Sequence, residues 1–564
     1  MYRRLIAAHP IGCFFLTILA CLYCLPTVYA TPYKDFSQLP QVSSLQLSPD
    51  GKNLAYLRNH GTETLLISVD LQTQKSYAIT KTDNERYKFR WIKWANNNQL
   101  VFSAAYPGRR YGYGTHETRL MVANKHEAGA KELLRPKKPT MSQHEHPSQL
   151  RDNVIDWLPD DPEHIMVSVD FETPIYPTVY KVNLSNRSRD KVQGSFSKVM
   201  SWQTDQQHRI RIGHVYDSDK GLRSTRILDI DNNEWHEVWV RDALFDSPYR
   251  ALGFGLDPHT LYLRANHQGR NAIFTIDTRN LDEEPQLKAS DPVYDIEGAL
   301  IYSDKTLDVI GVYHGRGQTG RIYWDNHYQR FHKAINSVLP ETSNYLTSIS
   351  LDEKRYIVYS TSATSPGTYF FGDRTDKSLT PLFDTYPQLQ NYPLSEKQRR
   401  LIHMRDNLTI EAYLSLPPQF KGKPIPAIIL PHGGPMARDT DSFGYWVQFL
   451  TAKGWAVLQP NFRGSSGFGH DFLLQAVANY GLGMQDDLVD STQWLIDEGI
   501  ADSKRICIVG ASYGGYAALT AAFKTPELYQ CAVSFAGVSD LLSQRNRSRG
   551  FVNRAHSART VRKR

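Results

Sequence analysis

Between residues 44 and 385 one local pattern returns seven times: an acidic or Asn-rich turn, then a short alternating run with strand character. Ser48-Pro49-Asp50-Gly51 precedes Leu54-Ala55-Tyr56-Leu57, and Asn96-Asn97-Asn98 precedes Leu100-Val101-Phe102. Pro159-Asp160-Asp161 leads to Ile165-Met166-Val167, and Asp205-Gln206-Gln207 to Ile210-Arg211-Ile212. Asp257-Pro258, Ser303-Asp304 and Asp352-Glu353 stand in the same way before Leu261-Tyr262-Leu263, Leu307-Asp308-Val309 and Tyr356-Ile357-Val358. Anchors at 50, 97, 160, 205, 257, 304 and 352 are spaced by 47, 63, 45, 52, 47 and 48 residues. A period near 45–50 residues with about four strands per unit is what a β-propeller blade needs. The spacing predicts one closed ring of seven four-stranded blades over residues 31–390, against two stacked β-sandwiches. The long second interval holds the Lys-, Pro- and His-rich loop 135–151.

Past residue 395 apolar strand-like runs alternate with helix-spaced ones, the signature of a parallel sheet. Residues 425–430 form a strand ending at Pro431-His432-Gly433-Gly434-Pro435, and residues 456–459 another ending at Asn461-Phe462-Arg463-Gly464-Ser465. Residues 505–509 deliver Gly510-Ala511-Ser512-Tyr513-Gly514-Gly515-Tyr516, with a small-residue helix expected from Tyr513 to Lys524. Gly-x-Ser-x-Gly between strand and helix is the nucleophile elbow of an α/β-hydrolase. A serine hydroxyl is a weak nucleophile, so it must be exposed and set beside a base. Gly510 and Gly514 clear the turn, while Gly515, Ala517 and Ala518 let the helix lie close to the sheet. Acyl transfer also needs two donors aimed at the developing oxyanion. The N–H of Tyr513 and an N–H in the Gly433-Gly434 loop are the candidates, with Ser512 the candidate nucleophile. Residues 391–544 are thus expected to form the hydrolase domain.

His432-Gly433-Gly434-Pro435, Asn461-Phe462-Arg463-Gly464-Ser465 and the elbow make residues 395–543 resemble the catalytic domain of the prolyl oligopeptidase family of serine peptidases. The seven-unit front half resembles that family's propeller, so the likeness covers nearly all of residues 35–543. His-Gly-Gly-Pro is more similar to the acylaminoacyl-peptidase and oligopeptidase-like branches than to the dipeptidyl-peptidase branch. The resemblance implies short peptide substrates admitted past a propeller that excludes folded proteins, and no metal or organic cofactor. A homo-oligomer is compatible with it. An esterase on the same fold, or a non-catalytic peptide-binding propeller protein with a silent hydrolase half, are the competing readings.

Other candidates have plainer explanations. His144-Glu145-His146 could ligate a metal but sits in a polar loop with no further ligand placed. Glu283-Glu284 is similar to the paired acids with which dipeptidyl peptidases hold an amino terminus, yet Asp282 and Pro285 make it an ordinary turn. Asp486, Asp487, Asp490 and Arg463 are expected to cap helices and brace loops.

Residues 1–30 read as an export signal: Arg3 and Arg4, an apolar stretch over 11–25, and Val28-Tyr29-Ala30 before the cleavage point. The stretch is too short for a membrane span, so a periplasmic or secreted protein is expected, with a lipid anchor at Cys21 the minor alternative. Of five cysteines only Cys507 and Cys531 lie outside the signal. Their apolar surroundings favour buried free thiols over a disulfide. The net charge of +7 comes from the ends. Without the two cations of the signal and the eight of residues 545–564, the body stands at −3, which gives a nucleic-acid surface no support.

The resemblance implies a triad acid and histidine on loops beyond residues 532–535. After Ser512 the acids are Glu527 and Asp540, and the histidine is His556. The expectation is therefore an incomplete hydrolase domain whose last strands are missing and whose activity is impaired. Residues 545–564, dense in Arg and free of acid, resemble codons read out of frame. A basic tail that recruits an acidic partner is the alternative.

Overall fold

The computed structural model describes residues 33–110, 112–137, 145–314 and 320–548. The signal-like residues 1–30, His144 and His556 lie outside them. Seven antiparallel meanders follow one another from Val42–Leu47 to Ser378–Asp384, six of four strands and one of three. They form the seven blades of a β-propeller. Each sequence anchor falls at or beside the turn between the first and second strands of its blade. The chemistry of that turn explains its composition. Side-chain oxygens of Asp50, Asn96, Asp205, Asp257 and Asp352 each accept from the N–H two residues on, at 2.9–3.1 Å, an Asx turn that leads into the second strand.

Neighbouring blades are tied through the same end. Asn97 accepts from the Asp50 N–H at 2.9 Å, and Asn96 donates to Pro162 at 2.6 Å. His208 meets Asp156 at 2.9 Å, and Gln207 donates to the Leu256 carbonyl at 3.1 Å. Asp308 accepts from the Leu256 N–H at 3.0 Å, and Lys305 lies 3.8 Å from Glu353. Arg355 donates to Gly51 at 2.9 Å and closes the ring.

The uniform four-strand count needs one correction. Among the described residues the sixth blade has three strands, Leu300–Tyr302, Val309–Tyr313 and Arg321–Tyr323. The helix Asn326–Val338 follows them. Asp325 caps it by accepting from the N–H groups of His327 and Tyr328, and Tyr328, Phe331 and Ile335 recur at helical spacing. Phe331 meets Tyr356 edge-on at 4.8 Å. Helical periodicity there outweighed the blade period.

The hydrolase sheet runs, in spatial order, Lys397–His403, Thr409–Ser415, Ala456–Asn461, Ile425–Ile429, Ala501–Ala511 and Cys531–Phe535. The last four are parallel. Ala456–Asn461 is buried along its whole length, as a parallel strand covered on both faces should be. Ile429, Leu458, Ile506 and Ile508 form the core with Leu488 and Leu495 of the helix Gly483–Asp497 and Ala517 and Ala521 of the helix Tyr513–Lys524. Among the described residues Cys531–Phe535 is an edge strand. Val533 and Phe535 are 49% and 63% exposed on its uncovered face.

One further expectation is corrected. Cys507 and Cys531 form a disulfide instead of free thiols. The parallel register sets them side by side, with Cα atoms 4.7 Å apart, which single-strand hydrophobicity does not reveal. After this strand the helix Leu541–Ser548 runs through Arg545. Asp540 starts that helix by accepting from the N–H groups of Leu542 and Ser543.

The two halves meet through buried polar contacts. Gln448, 1% exposed, donates to the carbonyls of Ala363 and Ser395 at 2.9 Å and accepts from the Ser395 N–H at 2.8 Å. Asp295 of the propeller holds Gly467 and Gly469 through its own N–H and carboxylate. No helix among the described residues is long and apolar enough to cross a membrane.

Candidate active site

Ser512 stands where the strand Ala501–Ala511 turns into the helix Tyr513–Lys524. Its side chain is exposed, and its backbone takes φ 55° and ψ −117°. A non-glycine residue at positive φ outside the left-handed helical well is strained by about 1–3 kcal/mol and persists only where its surroundings enforce it. Here the Ser512 N–H donates to Phe535 at 3.0 Å, and the Ser512 carbonyl accepts from the Tyr516 N–H at 3.0 Å. Packing explains the neighbouring glycines. A Cβ on Gly510 would overlap the Gly514 carbonyl, one on Gly514 the Pro431 carbonyl, and one on Gly515 would lie 2.7 Å from the Gly537 Cα.

The Tyr513 N–H opens the helix and belongs to the first turn, whose N–H groups have no intrahelical acceptor. Its ring is buried among Phe462, Tyr480 and Tyr516. Gly433 passes beside the serine: a Cβ there would lie 3.4 Å from the Ser512 Cβ and 3.9 Å from its Oγ. Gly434 takes φ +122° and precedes a cis bond to Pro435. All four candidate residues therefore come together at one point.

His432, at the head of the same loop, has a role that sequence reading did not assign. Its Nδ1 lies 2.8 Å from the Gly433 carbonyl and its Nε2 2.9 Å from the Ser465 Oγ, with the ring stacked on Phe462. Burial pushes its pKa down. The ring donates from Nδ1 to the Gly433 carbonyl, and the Ser465 hydroxyl beside Nε2 donates to the Phe462 carbonyl at 2.7 Å. It braces the loop from behind.

The remaining candidates separate cleanly. Arg463 grips Asp487 through its backbone and guanidinium at 2.6–3.0 Å and reaches Asp406 at 2.7 Å, while Arg405 holds Asp490 at 2.5 Å. These groups brace loops, as expected. Glu145 pairs with Arg189 at 2.5 Å, and His146 lies 3.9 Å from Asp170. Glu283 and Glu284 are exposed in a turn between the third and fourth strands of their blade, the end of a meander that carries the anchor turns and faces away from the hydrolase. A polar cleft of about 460 Å³ between the seventh blade and residues 440–442 includes none of the four candidate site residues. Among the described residues no side chain hydrogen-bonds to the Ser512 hydroxyl.

Fold and elbow together define a propeller-capped α/β-hydrolase. Residues 441–557 match the model of the prolyl oligopeptidase family, and the chain carries a domain of that family of serine-type peptidases. It is 29% identical over 527 residues to dipeptidyl aminopeptidase BIII of Pseudoxanthomonas mexicana, covering 89% of this chain and 71% of that one. It is 30% identical over 138 residues to the acylamino-acid-releasing enzyme of Mus musculus, covering 24% of this chain and 19% of that one. Relatives of both kinds thus match. A puromycin-hydrolysing peptidase of Mycobacterium tuberculosis shares the fold at TM-score 0.66 and 16% identity, over 92% of this chain and 80% of that one.

Proposed function

We propose that the chain is an exported peptidase that hydrolyses short peptides by acyl-enzyme chemistry at Ser512. The Ser512 Oγ attacks the scissile carbonyl carbon as its proton passes to a base. The oxyanion takes hydrogen bonds from the Tyr513 N–H and from the Gly433-Gly434 loop. The amine leaves with a proton, and water releases the acyl group. The observation that carries this reading is the strained, exposed Ser512 with Gly433 against its side chain. A propeller over the serine favours short peptides over folded proteins. Export, to the periplasm or beyond, is supported by the signal-like residues 1–30 and by the Cys507–Cys531 disulfide, which suits an oxidising compartment.

Of the residues after Ser512, His556 alone offers an imidazole base. Turnover of peptide anilides and matched alkyl esters by residues 31–564 and by Ser512→Ala separates the readings. Slow anilide turnover lost in Ser512→Ala supports the peptidase; ester turnover alone selects the esterase; peptide binding without turnover selects the silent hydrolase.

A further inference from the structure

Three arginines converge at the end of the propeller that faces the hydrolase. Arg250, first residue of the strand Arg250–Phe254, stands directly opposite Arg264 of the strand Thr260–His267. Opposed residues of an antiparallel pair share a face, and like charges there work against the sheet. Arg223, near the start of Leu222–Asp229 in the preceding blade, adds a third cation. Arg250 and Arg223 are both exposed; partial desolvation lowers the pKa of Arg250, and the charge of Arg223 lowers it further.

The carboxylates of Glu297 and Asp295 act on Arg264, whereas Arg223 and Arg250 lack a paired carboxylate among the described residues. Arg264 donates through Nη2 to the carbonyls of Glu297 and Gly298, while its Nε is buried without a partner. Among the described residues neither Arg223 nor Arg250 makes an ion pair. Elsewhere the propeller pairs such groups with carboxylates: Arg151 with Glu132 at 2.8 Å and the fully buried Arg211 with Asp205 at 3.2 Å. Arg223 and Arg250 are exposed at this end of the propeller, open to an anion from solvent.

Their location connects them to the serine. The segment carrying Glu297 also carries Asp295, which holds Gly467 and Gly469 of the hydrolase. The Arg438 guanidinium lies against Gly467. Arg438 is four residues beyond Gly434, a span of at most about 15 Å. The oxyanion loop, Arg438, Glu297 and Arg264 thus follow one another along the junction between the hydrolase and the propeller.

We propose that Arg223, Arg250 and Arg264 form a carboxylate-binding site for the distal part of a peptide substrate. Guanidinium groups bind carboxylates through paired N–H donors, and the surrounding protein strengthens that attraction over its value in water. Either a free α-carboxylate or an acidic side chain supplies the anion. This rests on the peptidase reading and names the substrate class for it.

The test measures calorimetric dissociation constants of four hexapeptides, ending in glutamate or glutamine, each as free acid and as amide. They are titrated into residues 31–564 and the variants Arg250→Gln, Arg223→Gln and Arg250→Lys. Wild type should bind a carboxylate-bearing peptide at least tenfold more tightly than the neutral amide. Arg250→Gln and Arg223→Gln should erase that preference, while Arg250→Lys keeps part of it. Comparison of the acid and amide arms tells a terminal from a side-chain carboxylate. Arg250→Gln should also melt at a higher temperature, because it removes the repulsion with Arg264, and Arg223→Gln serves if it does not fold. Equal binding of charged and neutral peptides, or a preference that survives both glutamine variants, overturns the site and leaves the peptidase reading standing. No binding of any peptide, with no acyl adduct on Ser512, overturns both.

Discussion

At the scale of single residues the elbow is held by absences as much as by contacts. Gly514 leaves room for the Pro431 carbonyl, with which any Cβ would collide. Backbone cannot yield as a flexible side chain can, so Gly514→Ala should destabilise the protein by about 3 kcal/mol or more, by the overpacking and strain it introduces. A urea melt checks this, and a loss below about 1 kcal/mol would mean that the strand end moves aside easily. Gln448→Ala should lower stability by about 2–4 kcal/mol, since it strands the Ser395 N–H and the carbonyls of Ser395 and Ala363 in a buried junction. The motifs around Ser512 were legible because each glycine answers a local steric demand. The bracing role of His432 was not, because Ser465 meets it from 33 residues away.

At the scale of elements the edge strand Cys531–Phe535 carries more than its length suggests. Its last carbonyl anchors the Ser512 N–H, and its cysteine ties it to the nucleophile strand. Closing a loop with a sequence separation of 24 residues constrains the unfolded chain, so Cys531→Ser should lower stability by up to about 3 kcal/mol. Denaturant melts with and without reductant measure it, and an unchanged midpoint would contradict the account. Among the described residues the outer edge of the strand has no neighbour, and Val533 and Phe535 are exposed beside it, a template for association. Val533→Lys should reduce self-association seen by light scattering while leaving the melting temperature in place. The blade turns were readable as a period because Asx chemistry repeats with each blade. The disulfide and the arginine cluster were not, since strand register brings their members together from separate stretches of chain.

At the scale of the whole molecule, burial holds several histidines neutral. His214 is lowered to about 3, by burial first and then by Arg250, and His332 and His432 are lowered in the same direction. In the unfolded chain each takes up a proton near pH 6.5. The unfolded state therefore binds more protons below that pH, and stability falls as pH drops from 6.5 toward 5, by about 1.4 kcal/mol per unit for each histidine that stays neutral. Asp439 and Glu297, raised by burial, oppose the trend. Urea midpoints at pH 7 and pH 5.5 test the sign, and a flat or rising profile on acidification would contradict it.

The claim on which the account turns is that Ser512 is an acyl acceptor held ready by its elbow and served by an oxyanion site. Intact-mass spectrometry after exposure to a peptidyl p-nitrophenyl ester tests it most directly. An activated ester needs little help from a base, whereas release of the acyl group needs more, so the adduct should accumulate. The account predicts one peptidyl group per chain, mapped to Ser512 and missing from Ser512→Ala. An adduct that maps elsewhere, or that persists in Ser512→Ala, would contradict it.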